Sequence, residues 1–198
     1  MNLFCSLILP FLAFFTASDQ QPASRIDGPV TWIGIDYSHA KFIGAAGFTD
    51  PADLPRFLLA WNDFVLTEPD KYDVKKALGV SDVTIDLSYT YHKNEGLDTK
   101  AMVQEEDHKI SKDEAVGVAK SYDFSKLDGT VAMLVAEAYN KKTVLGSHWL
   151  VVINTENSEV VSAVRYEEKA KGFGLRNYWA HTIYELLQSN EKAIKKGK

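Results

Sequence analysis

Three consecutive stretches rich in β-branched and aromatic residues lie in the second half of the chain, at residues 130–139, 143–153 and 160–166. The connections between them, residues 140–142 and 154–159, are short and polar. Such connections favour hairpins, so the segment predicts three antiparallel strands in succession. In the middle stretch both alternating sets of side chains are largely apolar, which predicts a central position in the sheet. Any fold of this chain therefore has to be built around a β-sheet.

The first half of the chain combines strand and helix patterns. Residues 30–37 are rich in β-branched and aromatic side chains and predict a strand. Apolar residues recur every three or four positions over residues 54–65, which predicts an amphipathic helix, and residues 71–78 predict a short second helix that Gly79 ends. Strict alternation of apolar and polar residues over 83–91 predicts a strand with one buried and one solvated face.

The remaining segments complete the order of the elements. Residues 93–110 are charged and show no periodicity, so they predict a loop. Ser111 and Glu114 have the spacing of a capping box, which predicts a helix to about residue 122. An apolar stripe from residue 175 onward predicts a last helix. The order β-α-α-β-α-β-β-β-α predicts an α+β fold, a two-layer sandwich of about five mainly antiparallel strands with the helices packed on one face.

The start of the chain has the pattern of an export signal. Residues 3–15 are almost purely apolar, and the run is shorter than the roughly 20 residues of a membrane-spanning helix. Small residues follow at 16–18, as signal peptidase requires. We therefore predict a cleaved signal peptide over residues 1–18 and no transmembrane anchor after its cleavage. The alternative is a buried apolar helix, because no Lys or Arg precedes the run.

Composition limits the classes of function. The 198 residues include 22 Lys+Arg and 27 Asp+Glu, and 22 − 27 gives a net charge of −5, which disfavours nucleic acid as a partner. The single cysteine, Cys5, lies within the predicted signal peptide, so neither disulfides nor a multi-cysteine metal site is expected. The length suits one domain. Behind the signal we expect a flexible lead, a single α+β domain and a frayed lysine-rich tail, at residues 19–29, 30–190 and 191–198.

The glycine-rich segment GFGLRNYW, at the start of the last predicted helix, is the strongest candidate for a binding site. Its two glycines allow a close backbone approach, and the helix that follows begins with unpaired N–H groups. Arg176, Asn177 and Tyr178 are the candidate ligand-binding residues, because these side chains can bind a carboxylate, a phosphate or a sugar edge. In the alternative interpretation, Phe173 and Trp179 pin the loop to the core and Arg176 pairs with a nearby acid.

Asp36 and His39, at the end of the first predicted strand, are the catalytic alternative, because functional groups are often displayed there. They would act as an acid/base pair, or hold a metal ion with a third ligand from His92, His108, His148 or His181. In the non-functional interpretation, His39 bonds the loop backbone and His148 is a satisfied core residue. The chain contains no HExxH, GxSxG, P-loop or GxGxxG motif, so no catalytic residue, metal ion or cofactor is assigned.

Two segments resemble known exported proteins. Residues 150–161, LVVINTENSEVV, are similar to a hairpin of exported bacterial α/β modules, with Asn154 and Ser158 where those modules have Asp and Gly. The modules include the curli-pore lipoprotein and the lipoprotein activators of penicillin-binding proteins, and the resemblance covers about residues 111–190. The segment GFGLRNYW resembles a group of exported bacterial proteins that have no assigned activity. The resemblance implies an envelope protein with binding or assembly duties.

These features together predict an exported envelope protein, periplasmic or secreted, that acts as a non-enzymatic binding or assembly module. Its partner would be an envelope protein or a cell-wall or surface ligand. The rival is a hydrolase or metal-assisted enzyme that uses Asp36 and His39 with help from Arg176. A third possibility is a structural stabiliser of an envelope assembly. The residues leave the identity of the ligand and the oligomeric state open.

Overall fold

The computed structural model describes residues 26, 28–48 and 50–197. The predicted signal peptide and most of the predicted lead lie outside the described residues. The strands are β1 Val30–Asp36, β2 Lys41–Ile43, β3 Thr84–Ile85, β4 Val103–Gln104, β5 Thr130–Asn140, β6 Leu145–Asn154 and β7 Val160–Lys169. The helices are α1 Leu54–Thr67, α2 Val74–Leu78, α3 Ser88–Asn94, α4 Lys112–Lys120 and α5 Gly174–Lys196, with short 3-10 turns at Ala45–Gly47 and Pro51–Asp53.

The antiparallel succession predicted for the second half of the chain is confirmed. β5 pairs with β6 and β6 pairs with β7, both antiparallel, so β6 lies between two neighbours as its apolar pattern predicts. The strand side chains alternate between two cores. Leu150 and Val152 of β6 face one core, whereas Val151 and Ile153 face the other.

The prediction of a mainly antiparallel two-layer sandwich is wrong. Four of the six strand pairings in the described part of the chain are parallel, namely β1 with β3 and β5, and β2 with β4 and β5. β1 and β2 both pair with β5, one after the other, and the turn 37–40 separates them. The sheet curls into a half-barrel. Hairpin signals specify only neighbours in sequence, whereas β1 reaches β5 across several intervening helices, which permits a parallel partner.

The helices also cover both faces of the sheet rather than one. α1, α2 and α5 pack on the core that contains Trp32 and Leu134. α4 packs on the opposite core, where Ala115 and Val118 lie against Met133 of β5. Because helices cover both faces of the sheet, β5 is buried along all but its last residue.

The strand predicted over residues 83–91 is wrong beyond its first residues. β3 contains only Thr84 and Ile85, and the chain then enters α3. Asp86 accepts hydrogen bonds from the backbone N–H and the hydroxyl of Ser88, which satisfies donors at the start of the helix. Leu87 and Tyr91 are four residues apart, a separation that fits both a helix and an alternating strand, so the pattern alone could not separate the two structures.

Side chains take the place of a neighbouring strand along the end of β1. Asn62 of α1 accepts from the Ile35 N–H at 3.1 Å, and Thr90 donates to the Ile33 carbonyl at 2.6 Å. Asn94 at the end of α3 donates to the Ile35 carbonyl at 2.7 Å. Gly34, with a φ of +96°, allows this close approach, because an added Cβ would lie 2.2 Å from Asn62 Oδ1. These bonds fix α1 and α3 against the same strand edge.

The helix ends follow their sequence signals. The capping box is confirmed, because the Ser111 hydroxyl accepts from the Glu114 N–H and the Glu114 carboxylate accepts from the Ser111 N–H. α5 continues to Lys196, through residues that the sequence predicts as a frayed tail. Glu191 holds this end because it pairs with Lys76 at 3.6 Å and with Lys195 one turn later. None of the helices in the described part of the chain combines the length and apolar character that crossing a bilayer requires.

Candidate functional site

The loop before α5 presents an aromatic side chain to solvent. Gly172 has a φ of +124° and Gly174 a φ of +75°, backbone conformations that glycine adopts without strain. Phe173 lies between them and is 94% exposed. Trp179, one turn into the helix, is fully buried in the core. The loop is therefore anchored through Trp179 and not through Phe173.

Arg176 lies on α5 beside the C-terminal half of α1. Its guanidinium stacks 4.2 Å from the centre of the Phe64 ring and donates to Asn177 Oδ1 at 3.1 Å. The acid that the alternative interpretation requires is Glu68, whose carboxylate lies 3.5 Å from Nη2. The Arg176 carbonyl accepts from Trp61 Nε1 at 2.8 Å, which fixes the backbone. The side chain remains 43% exposed, so the guanidinium still faces solvent.

A second cation lies over the ring of Tyr178. Lys141, in the turn between β5 and β6, places its Nζ 3.7 Å from the centre of the Tyr178 ring. The Tyr178 ring in turn packs edge to face on Trp179, with centroids 5.0 Å apart. The Lys141 ammonium makes no ion pair with any described residue. We call Phe173, Arg176, Asn177, Tyr178 and Lys141 the α5-start surface.

The α5-start surface combines aromatic and cationic side chains that can contact another molecule. It offers the exposed ring of Phe173 and two cations. The Arg176 guanidinium lies over the Phe64 ring, and the Lys141 ammonium lies over the Tyr178 ring. Contacts of this kind stabilise a cation by about 0.5–1 kcal/mol at exposed sites. The surface has no nucleophile with an adjacent base. It can bind an apolar group and carboxylates together.

Asp36 is fully buried at the end of β1 and closes the turn that follows. Its carboxylate accepts from the Ser38 N–H at 2.7 Å, the Ser38 hydroxyl at 2.6 Å and the Tyr122 hydroxyl at 2.6 Å. Burial, together with the Asp36 charge, raises the pKa of Tyr122 far above its ordinary value, so the phenol stays a donor. The buried carboxylate therefore accepts three hydrogen bonds from within the protein.

His39 is exposed and meets Asp36 only through Ser38. The Ser38 hydroxyl lies 3.0 Å from His39 Nδ1, and His108 Nε2 lies 2.9 Å from the His39 carbonyl. The other candidate ligands are elsewhere. His148 is buried in the core, and His181 lies 3.4 Å from Glu185 on α5. Within the described residues, no group of three or more His, Cys, Asp or Glu side chains is placed to hold a metal ion.

A buried ion pair crosses the three antiparallel strands. Glu137 is fully buried at a register shift in β5, and its oxygens lie 3.0 Å from Arg165 Nε and 2.5 Å from Nη2. Trp149 Nε1 donates to the same carboxylate at 3.2 Å. Glu167 lies 3.0 Å from Arg165 Nη2 at the solvent side. Hydrogen bonds to Glu137 raise the pKa of Arg165, so its charge is permanent.

His148 lies in an aromatic cluster on the other face of the sheet. Its Nε2 is 3.0 Å from the Tyr139 hydroxyl, and the Tyr139 ring is 5.1 Å from Trp61. His148 Nδ1 has no hydrogen-bond partner among the described residues. Burial lowers the pKa of His148 to about 3, with a smaller contribution from the positive charge of Arg165. The imidazole is therefore neutral at pH 7.

Sequence reasoning missed a cleft between α1 and α3. It has a volume of about 740 Å³ and is lined by Leu58 and Leu59 of α1, Tyr91 of α3, and Leu97 and Thr99 of the loop after α3. The incorrect strand prediction over 83–91 hid it, because a cleft between two helices requires the second helix. The spacing of Asp86 and Ser88, which starts α3, was the available signal.

Comparisons with known proteins give a weak likeness to a solved structure. No family model matches the chain, and no curated protein matches it. Among solved structures, it is similar to the LpoB C-terminal domain from Salmonella enterica, at 12% identity over 77% of this chain and 87% of that chain. The TM-score is 0.24, which is too low to establish a shared fold. LpoB is a penicillin-binding-protein activator lipoprotein, one of the groups named above, whereas the GFGLRNYW segment finds no support.

Proposed function

We propose that this protein is an exported, non-enzymatic binding protein that recognises a partner protein through the α5-start surface. The observation that carries the proposal is Phe173, which is 94% exposed and held out by glycines on both sides. Protein interfaces are commonly anchored by aromatic and arginine side chains, and Arg176 lies within one turn of Phe173. Burial of the Phe173 ring against a partner contributes about 1.5–3 kcal/mol.

The charges of the surface define the chemistry of the partner. Arg176 has one long ion pair and Lys141 has none with a described residue, while the whole chain has a net charge of −5. An acidic partner is therefore repelled by most of the molecule and attracted here. We expect the partner to offer an apolar pocket for Phe173 and carboxylates for the two cations.

Two other functions have less support. A cell-wall or surface sugar would use the flat face of Tyr178, but Lys141 Nζ already lies 3.7 Å from the ring centre on one face. A hydrolase built on Asp36 and His39 would need a carboxylate that a substrate can reach, yet Asp36 is fully buried and already accepts three hydrogen bonds from Ser38 and Tyr122.

A photo-crosslinking amino acid placed at position 173 tests the proposal. We expect a single crosslinked protein partner in cells that make this chain, because the ring at this position would be buried in the complex. The matched control carries the same crosslinker at Asn157, an exposed position in the turn between β6 and β7. The Arg176→Ala variant with the crosslinker at 173 should lose most of the product, since the guanidinium contributes to the same interface.

Two outcomes contradict the proposal. One is no crosslinked protein from position 173. The other is the same set of products from positions 173 and 157, which would show random collision. A product that consists of two copies of this chain would make the partner a second copy and would replace the acidic partner proposed here.

Export is the second part of the proposal and rests on the apolar run over residues 3–15. N-terminal sequencing of the protein from an envelope or medium fraction should give a chain that begins at or near Asp19. A Leu9→Arg variant, which interrupts the apolar run, should remain uncleaved and unexported. Exported protein that still carries residues 3–15 would contradict the assignment of a cleaved signal.

A further inference from the structure

The cleft between α1 and α3 has the size and lining of a small-molecule site. Its volume of about 740 Å³ falls within the usual range of ligand pockets, roughly 300–1,000 Å³. Leu58, Leu59 and Leu97 form an apolar wall, and Leu59 is 51% exposed although it is a large apolar side chain. A ligand with an apolar body would remove this leucine from water.

Some polar side chains of the cleft already make hydrogen bonds within the protein, and others do not. The side-chain amides of Asn62 and Asn94 form hydrogen bonds with the backbone of β1, and the Tyr91 hydroxyl donates to Asp63. Thr99 lines the cleft with only 8% of its surface exposed, and its hydroxyl has no hydrogen bond with a described residue. The Thr99 hydroxyl is therefore available to bond a ligand in the cleft.

The charge of the lining selects the kind of ligand. Glu95 is the carboxylate in the lining, it is exposed, and it makes no ion pair with a described residue. In the described part of the chain, neither Lys nor Arg lines the cleft. His92 is the basic side chain in the lining. A cationic head group is attracted to this rim, whereas an anionic head group is repelled.

We propose that this cleft binds a small amphipathic cation, with its apolar body against Leu58, Leu59 and Leu97 and its ammonium group at Glu95. Thr99 accepts a hydrogen bond from the same ammonium or from a polar group next to it. The site is separate from the α5-start surface, and it requires no partner protein. Loss of one activity therefore leaves the other measurable.

Two ions of equal chain length and opposite charge test this proposal, n-octylammonium and n-octanoate, each below its micelle concentration and at pH 8. We expect octylammonium to bind about tenfold more tightly, with NMR shifts centred on the Leu59 methyls and the Gly96 amide. Glu95→Gln should remove the preference between the two ions. Leu59→Asn should weaken both several-fold without unfolding the chain, because Leu59 is 51% exposed. Glu106→Gln, an exposed acid outside the cleft, is the matched control and should change nothing.

Equal binding of the two ions, or a preference that survives Glu95→Gln, would overturn the assignment of a cation site. Octylammonium shifts that lie away from Leu59 and Gly96 would overturn the assignment of the cleft itself. Failure of either kind leaves the crosslinking result at position 173 unaffected, so the two proposals fail separately.

Discussion

Replacement of Arg165 by Met lowers the free energy of unfolding by about 3–5 kcal/mol, as is typical when one partner of a buried ion pair is removed. The loss is large because Glu137 is fully buried, and removal of the guanidinium leaves its carboxylate without the partner that offsets its desolvation. Trp149 Nε1 is its remaining donor among the described contacts, and one neutral donor cannot offset the desolvation of a carboxylate. Urea unfolding, followed by far-ultraviolet circular dichroism, measures the change.

Two variants separate a buried pair from an ordinary surface contact. The double variant Glu137→Gln with Arg165→Met removes both charges and keeps an acceptor for Trp149, so it should recover most of the loss. Arg56→Met breaks the exposed pair with Asp53 and should cost less than about 1 kcal/mol. If Arg165→Met costs no more than Arg56→Met, the pair does not have the structural role assigned to it.

Acidification from pH 7 to pH 5 lowers the stability of the protein by about 2 kcal/mol through His148 alone. Burial lowers its pKa to about 3 in the folded chain, against an ordinary value of about 6.5 in the unfolded chain. Between these two values the unfolded chain binds the proton and the folded chain does not, so stability falls as the pH falls. Well above pH 6.5 the imidazole is unprotonated in both states, and the contribution of His148 is complete.

The His148→Gln variant isolates this contribution, because glutamine retains an acceptor for the Tyr139 hydroxyl but does not titrate. We expect its unfolding free energy to depend on pH less steeply than that of the wild type between pH 7 and 5, by about 1 kcal/mol per pH unit. His92→Gln, at an exposed position, should retain the wild-type slope. Equal slopes for wild type and His148→Gln would show that the imidazole is not held neutral by burial.

The parts of the fold that local chemistry determines were predictable from the sequence. The hairpins of β5, β6 and β7 follow from short polar connections between β-rich stretches. The start of α4 follows from the reciprocal bonds of Ser111 and Glu114. Each of these signals lies within a few residues, so it does not depend on the rest of the chain.

Long-range pairing was not predictable in the same way. The parallel contact of β1 with β5 joins Val30 to Thr130, and no residue near either strand specifies the other. At residues 83–91 the alternating pattern also fits a helix, and α3 prevails because Thr90 and Asn94 bond the edge of β1. A tertiary contact therefore decides the local structure.

For the candidate surface, the sequence pattern indicated Arg176, Asn177 and Tyr178, but it did not indicate which side chains of the segment are exposed. The glycines around Phe173 indicate an unusual backbone, yet only the packing of Trp179 shows that Phe173 is the ring left outside. The stacking of Lys141 on Tyr178 joins a turn to a helix that lies far away in sequence. The cleft between α1 and α3 was missed entirely, since it depends on the arrangement of two helices.

The dissociation constant of the complex with the partner captured at position 173 tests the central claim most directly. We expect Phe173→Ala to weaken binding at least about tenfold, a loss of roughly 1.4 kcal/mol or more. Leu66→Ala, which shortens another apolar side chain that is 55% exposed, should leave the constant unchanged. Equal affinities for wild type and Phe173→Ala would contradict recognition through the α5-start surface.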